Sequence, residues 1–455
     1  MPKQLALLLT VGFVIWLFRR DFRERPNVTS ALWIPTIWLF LIGTRTAAQW
    51  MEVFGFSSGG GTDDGGTPMD AAAFFILIIA GGRVLVQRRV RLGEFIRQHR
   101  LLTLFLVYCL LSVLWADLPF IAFKRWIKIL GHPIMTLVLV TEPDPEEAIR
   151  RMLRRVAYVF FPVSVLFIKY YLEFGRAWSP WGGEAMLTGI TLDKNTLGCM
   201  TMIFGLFFFC DFLKAWSSEK SPERKQELYL CGGALVFVAV MLHYAKSSTS
   251  LVSMALGCAT ILFLGLRFVN HRNFSKYIIS IVAIVALLEG VFGIYEVVLG
   301  FLGKDPTLTD RMPLWREVIS MQPNALIGAG FENFWAGDRL AALWRAHWWQ
   351  PRQAHNGYIE TYLNLGLIGV FLMVALILNA FTRGCRTLEF NFHWSRFRLG
   401  FVLAFIFYNY TEAAFKALHP VWFVFYIVAI DFGVSAEERT APVVDAGMPE
   451  DAELG

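Results

Sequence analysis

Long apolar runs recur along the whole of this chain. LALLLTVGFVIWLF near the N-terminus and YIISIVAIVALLEGVFGIYEVVLGF at 277–301 are two of them. Runs of about 18 or more apolar residues read as membrane spans, because a helix needs about 20 residues to cross the hydrocarbon. Helices are the expected form, since each span must satisfy its own backbone polar groups. The alternation over about ten residues that marks a transmembrane β-barrel is missing. Composition agrees: 56% of the residues are hydrophobic and only 17% charged, against about 25% charged in a soluble domain.

Thirteen candidate spans follow, near 3–18, 31–47, 69–87, 101–116, 121–141, 155–172, 194–213, 228–244, 250–266, 276–301, 357–380, 399–415 and 419–433. The expected fold is an all-α polytopic membrane protein with about 12–13 transmembrane helices, residues 1–433 forming one integral membrane domain. The first run lacks a small-residue cleavage site and is followed by Arg19 and Arg20, so it is expected to remain as a span. The acidic stretch 434–455 reads as a disordered cytoplasmic tail. The Gly-rich stretch 57–68 reads as a flexible loop, and it carries no GK[ST] phosphate cradle. The six cysteines form no CxxC pair or zinc spacing, and no compact carboxylate or histidine cluster suggests a metal site. No cofactor is expected.

The net charge of +6 reflects how Arg and Lys are distributed between spans and implies no nucleic-acid partner. Loops 19–30, 88–100, 142–155, 214–227, 267–276 and 383–398 hold 24 Arg and Lys residues and alternate with nearly uncharged loops. The positive-inside rule places all six in the cytoplasm. The N-terminus and the loops 173–193, 245–249 and 302–356 then lie outside.

The outer loop 302–356 breaks that charge pattern. It carries Lys304, Arg311, Arg316, Arg339, Arg345 and Arg352, together with Trp315, Phe331, Phe334, Trp335, Trp344, Trp348 and Trp349. Arg forks bind phosphate, and aromatic faces pack on sugars or on the membrane interface. The alternative is an interfacial helix with a Trp belt and paired charges. His355 ends the loop in AHNGYIE, and a neutral imidazole there could take a proton. His347 is its competitor.

Other outer segments add cations. Lys246 opens KSSTS in a short turn, as a snorkelling anchor or an anion contact. Lys194 and Asn195 begin a span, where a helix N-terminus favours anions. Arg125 and Lys128 fall within a span, where cations are functional suspects or snorkel to headgroups. Glu412 closes the span 399–415 as a carboxylate able to neutralise one of them. The combination suits a substrate that is anionic, lipid-anchored and sugar-bearing.

Three stretches carry a family resemblance: DPTLTDRMPLW at 305–315 with PNALIGAGFENFW at 323–335, AHNGYIETYLNLGLIGV at 354–370, and WSPWGGEAMLTGITLDKNTLG at 178–198. With these the chain resembles the O-antigen ligase and polymerase superfamily, leaning to its exopolysaccharide-polymerase branch. The resemblance implies glycosyl transfer at the periplasmic face of a bacterial inner membrane, without a metal. The implied donor is a glycan on undecaprenyl pyrophosphate, and the acceptor is a sugar hydroxyl on a growing chain or on lipid A–core. Arg311 falls on a pyrophosphate-binding Arg and His355 on the base for the acceptor hydroxyl. Lys246 falls where many members have Arg, and Asp193 where some relatives have His before Lys-Asn.

His355 and Arg311 are therefore the expected catalytic pair. Lys246, Lys194, Asn195, Arg125, Lys128, Asn356, Trp315 and Glu412 are the expected substrate contacts. Expected partners are the lipid-linked donor, the glycan or lipid A–core acceptor, membrane lipid and a chain-length regulator. Polymerase is the first reading and ligase the second. A lipid-linked oligosaccharide transporter and a non-catalytic assembly scaffold are the alternatives from other classes.

Overall fold

The computed structural model describes residues 1–56, 66–179, 183–292 and 311–431. The tail 434–455, most of the Gly-rich stretch and residues 302–310 of the outer loop, with Lys304, lie outside them. Among the described residues there are eighteen α-helices and one small antiparallel ribbon, β1 (Arg176–Trp178) with β2 (Ala185–Leu187).

Residues 293–301 of the span 276–301 and 432–433 of the last lie outside the described residues; over those described, each expected span falls on helix. In chain order these are α1 (Lys3–Arg23), α2 (Trp33–Gly43) with α3 (Ala47–Val53), α4 (Pro68–Gln87), α5 (Leu92–Gln98) with α6 (Arg100–Leu111), α7 (Pro119–Val140) and α8 (Pro145–Tyr170). After the short α9 (Leu172–Gly175) come α10 (Lys194–Ser217), α11 (Pro222–Ala245), α12 (Ser248–Leu264) and α13 (Phe274–Phe292). The outer loop adds α14 (Arg311–Ser320) and α15 (Gly337–Ala346), and the chain closes with α16 (Gly357–Thr387), α17 (Phe392–Thr411) and α18 (Pro420–Ala429). The chain is an all-α, multi-pass membrane protein.

By length and composition, four described helices can cross a membrane, namely α4, α10, α11 and α16, or six if two bent pairs each count as one span. Those pairs bend by 71° at α2–α3 and by 101° at α5–α6. The count falls below the thirteen expected spans in part because α13 is described only as far as Phe292, and in part through charge and length. Helix α7 has Lys124, Arg125 and Lys128 in its first half, α8 has four arginines between 150 and 155, and α12 and α18 are short.

Helix α10 has 24 residues and so spans about 36 Å, which defines two ends of the bundle. At one end, arginines of α8 meet acids from neighbouring helices. Arg150 and Arg154 share Asp211 at 2.9 and 2.8 Å, while Arg151 and Arg155 hold Asp21 at 2.9 and 2.8 Å. Basic segments read from sequence as topogenic charge are here closed into ion pairs. Arg398, in the same class of segment, pairs with Asp431 at 2.7 Å.

At the opposite end α16 is broken. Gly366 adopts φ 64° and ψ −165°, a conformation open to glycine. The break frees backbone groups that hydrocarbon could not satisfy. The segment 323–330 fills it: Leu367 and Ile368 N–H donate to Ala325 and Leu326 carbonyls at 2.8 and 3.2 Å, and Ala329 N–H donates to Leu363 O at 3.0 Å. Tyr108 Oη and Trp115 Nε1 donate to Leu365 O and Ile327 O. The loop is thus docked into the bundle along 323–335. Its aromatics help to hold it there. Phe331 and Phe334 are buried, and Trp315, Trp335 and Trp349 pack around Leu314, Val318 and Leu343.

Candidate functional site

Five chain segments meet at the end of the bundle that carries the α16 break. Helix α17 ends at Thr411, and Glu412 turns away in extended conformation. Its carbonyl accepts from Gly357 N–H at 3.0 Å, which ties the end of α17 to the start of α16. That bond helps to hold the preceding His355 at φ 51°, a strained left-handed conformation for a residue with a side chain.

Glu412 is buried, and its carboxylate gathers the site. His355 Nδ1 lies 3.1 Å from Oε2. Arg311 Nη2 lies 3.5 Å from Oε1, to which Asn195 Nδ2 also donates at 3.3 Å. Arg311 Nη1 donates to Thr411 O at 2.5 Å. A carboxylate only accepts hydrogen bonds, so this contact is a hydrogen bond in the tautomer with the proton on Nδ1, which leaves Nε2 basic. The side chains of His355 and Arg311 are about a quarter exposed, within reach of an incoming molecule.

Lys246 caps α11 in left-handed conformation, with its side chain exposed. Three residues on, Thr249 Oγ1 meets Thr411 Oγ1 at 2.8 Å, so the KSSTS turn is pinned beside the Arg311–Thr411 contact. Helix α10 packs its Gly198 against this turn, where a Cβ would stand 2.7 Å from Ser250 Oγ and 2.8 Å from Ser247 Cβ.

Some expected contacts have other work. The α10 N-terminus is not open to an anion, because Asp193 caps it, accepting from Asn195 and Thr196 N–H at 2.9 and 2.8 Å. Asn356 caps α16, accepting from Tyr358 and Ile359 N–H at 3.0 Å, and donates to Tyr410 O at 2.9 Å. Trp315 donates to Ala354 O at 2.7 Å, fastening α14 to the segment before His355. Lys194 is half-buried on the first turn of α10. Among the described loop cations, Arg311 alone pairs with Glu412. Arg339 is paired with Asp117, Arg352 lies over the Trp344 ring at 4.7 Å, and Arg316 and Arg345 are exposed. His347 binds Glu317 at 2.7 Å, apart from this carboxylate.

A second layer joins Arg125 and Lys128 to the site. Arg125 donates to Glu332 O, and Glu332 Oε1 accepts from Ala417 N–H at 2.5 Å. The adjacent Lys416 holds Gln353 Oε1, and Gln353 Nε2 stands 3.3 Å from His355 Nδ1. Burial pushes the Glu332 carboxyl above its ordinary range, opposed by the charge of Arg125 and by the Ala417 hydrogen bond. Gln353, Glu332 and Lys416 escape the sequence reading. Lys416 shares the signal that marked Lys246, a cation in a short connection between spans. Among the described residues, no three His, Cys, Asp or Glu side chains converge to hold a metal ion.

Residues 233–374 match the family model described as O-Antigen ligase. The chain is also 27% identical over 312 residues to the exopolysaccharide production protein ExoQ of Rhizobium meliloti (strain 1021), covering 66% of this chain and 68% of that protein. The chain thus resembles the O-antigen ligase-related family over these lengths. The O-antigen ligase match contains Lys246, Arg311 and His355 but neither Asn195 nor Glu412, so the carboxylate that joins the site comes from outside the matched segment. These similarities support a membrane protein of polysaccharide assembly with ligase- or polymerase-type activity.

Proposed function

We propose that this protein transfers a glycan from undecaprenyl pyrophosphate to a sugar hydroxyl at the periplasmic face of the inner membrane, polymerising exopolysaccharide or O-antigen repeat units with inversion at the anomeric carbon. The observation that carries the reading is the Glu412 carboxylate shared by His355 and Arg311. It joins a proton acceptor to a cation able to bind phosphate.

In the proposed step, His355 Nε2 takes the proton of the acceptor hydroxyl as its oxygen bonds to the anomeric carbon of the donor. The bond from that carbon to the pyrophosphate oxygen breaks, and the electron pair leaves with undecaprenyl pyrophosphate. Arg311 and Lys246 stabilise the departing charge. Glu412 acts as a positioning residue, fixing the His355 tautomer and stabilising the imidazolium that forms.

The ligase reading has its own support in the description of the matched family; there the acceptor is lipid A–core. The test uses purified protein in lipid with a synthetic undecaprenyl-pyrophosphate repeat unit and Arg311→Ala as control. A polymer ladder absent from the control supports the polymerase. Product only after lipid A–core is added makes it a ligase. Silence with both acceptors overturns the transfer reading and favours a transporter or scaffold.

A further inference from the structure

Helices α4 and α7 touch closely at one level and part at another. At Gly81 a Cβ would stand 2.9 Å from Ile134 Cγ2 and 3.1 Å from Met135 Cε, so the two backbones approach there. Towards Thr67 and Lys124 they diverge around a cleft of about 580 Å³. Ala71, Phe75 and Ile127 form apolar walls, with Thr67, Lys124 and Lys128 also lining the space. Thr67, Ala71 and Phe75 recur every four residues, as do Lys124 and Lys128, so each set shares one helix face.

Two further observations specify an occupant. The exposed surface of α4 beside the cleft is apolar, with Phe75, Ile76 and Ile79 each more than half exposed, so the cleft faces hydrocarbon. Lysines beside an apolar slot match a phosphate carried on a hydrocarbon chain, the charges meeting the phosphate and the walls meeting the chain. Helix α7, which carries both lysines, is also linked to the candidate site. Arg125, between its two lysines, donates to Glu332 O, and Glu332 connects through Ala417 and Lys416 to Gln353, which lies beside His355.

We propose that this cleft is a second lipid-phosphate site and holds the polyprenyl pyrophosphate of the acceptor. The proposal rests on the glycosyl-transfer reading above and narrows it. The donor pyrophosphate lies with Arg311 and Lys246, the acceptor pyrophosphate with Lys124 and Lys128, and the acceptor sugar spans the interval to His355. A slot between two neighbouring helices suits one polyprenyl chain rather than the several acyl chains of lipid A. The cleft thereby gives a place to the lipid-linked acceptor that the polymerase reading requires.

The test is photolabelling of the full-length protein in nanodiscs with undecaprenyl pyrophosphate bearing a diazirine on its first isoprene unit, the labelled peptides being mapped by mass spectrometry. Label is expected on α4 or α7 and also near Arg311. Ala71→Trp, which fills the slot, and Lys124→Glu, which reverses a lining charge, are each expected to cut the α4–α7 label at least tenfold. A kinetic arm compares a lipid-linked acceptor with the same oligosaccharide free of lipid. Ala71→Trp is expected to lower the ratio of the two rates at least tenfold, and Lys124→Glu provides the same comparison if the larger substitution fails to fold. Label confined to the Arg311 region, or an unchanged ratio in both variants, overturns the second site. Label kept on α4–α7 but absent near Arg311 supports the second site and counts instead against the donor assignment.

Discussion

Glu412 Oε2 lies 3.1 Å from Nδ1 of His355, although 57 residues separate them in the chain. With the proton on Nδ1, Nε2 is the basic nitrogen, and the other carboxylate oxygen faces Arg311 and Asn195. One buried acid thus gathers an imidazole and a guanidinium.

If His355 is the base and Glu412 acts through it, their losses will not add. His355→Ala is expected to lower kcat by about 100- to 10,000-fold with little change in donor KM. Glu412→Ala should also lower kcat, whereas the double variant should be no slower than His355→Ala. Steady-state kinetics on the three proteins checks this. A double variant slower by the product of the single effects would refute the coupling.

Arg311 is expected to act through its charge on the leaving group. Arg311→Ala should lower transfer by about 100- to 1,000-fold, the cost of losing one preorganised donor at developing charge. Arg311→Lys should recover part of it, since Lys keeps the charge but not the fork. Equal losses in both variants would point to a purely structural Arg311.

The α16 break makes a stability prediction. At Gly366 a Cβ would lie 2.2 Å from Leu326 O, at φ 64°. Gly366→Ala should destabilise the protein by more than the roughly 1–3 kcal/mol of left-handed strain alone, because the docked loop must move as well. Gly12→Ala, where nothing lies within 4 Å, is the control. Thermal unfolding in detergent compares them; matched midpoints would rule out a strict need for glycine.

At the far end of the bundle, Asp211 is shared by Arg150 and Arg154. Asp211→Ala leaves Arg154, whose side chain is 1% exposed, with Glu227 as its remaining described acid. Removing one partner of such a buried pair costs about 3–5 kcal/mol. Lower yield and a lower unfolding midpoint are expected. Wild-type stability would mean that Glu227 alone compensates.

The proposed orientation is tested by thiol labelling in cells. Ala341→Cys, at an exposed position on α15, should react with a membrane-impermeant maleimide once the outer membrane is opened. Lys220→Cys, between α10 and α11, should react only after the inner membrane is permeabilised. The reverse pattern would invert the topology.

The apolar runs alone determined that this is a multi-pass helical membrane protein, because hydrocarbon leaves the backbone no other local way to bond itself. Sequence motifs also placed Arg311 and His355 among the candidates. The partner they share was decided only by tertiary structure. Nothing local distinguishes Glu412 from other acids; its role depends on α17 ending where α16 begins, so that one carboxylate meets side chains from three distant segments. Periodicity also cannot reveal that 323–335 enters the bundle, since the backbone groups it satisfies are exposed by a break in another helix. Likewise Asp193 and Asn356 carry polar groups suited to substrate, and only the folded helix ends commit them to capping.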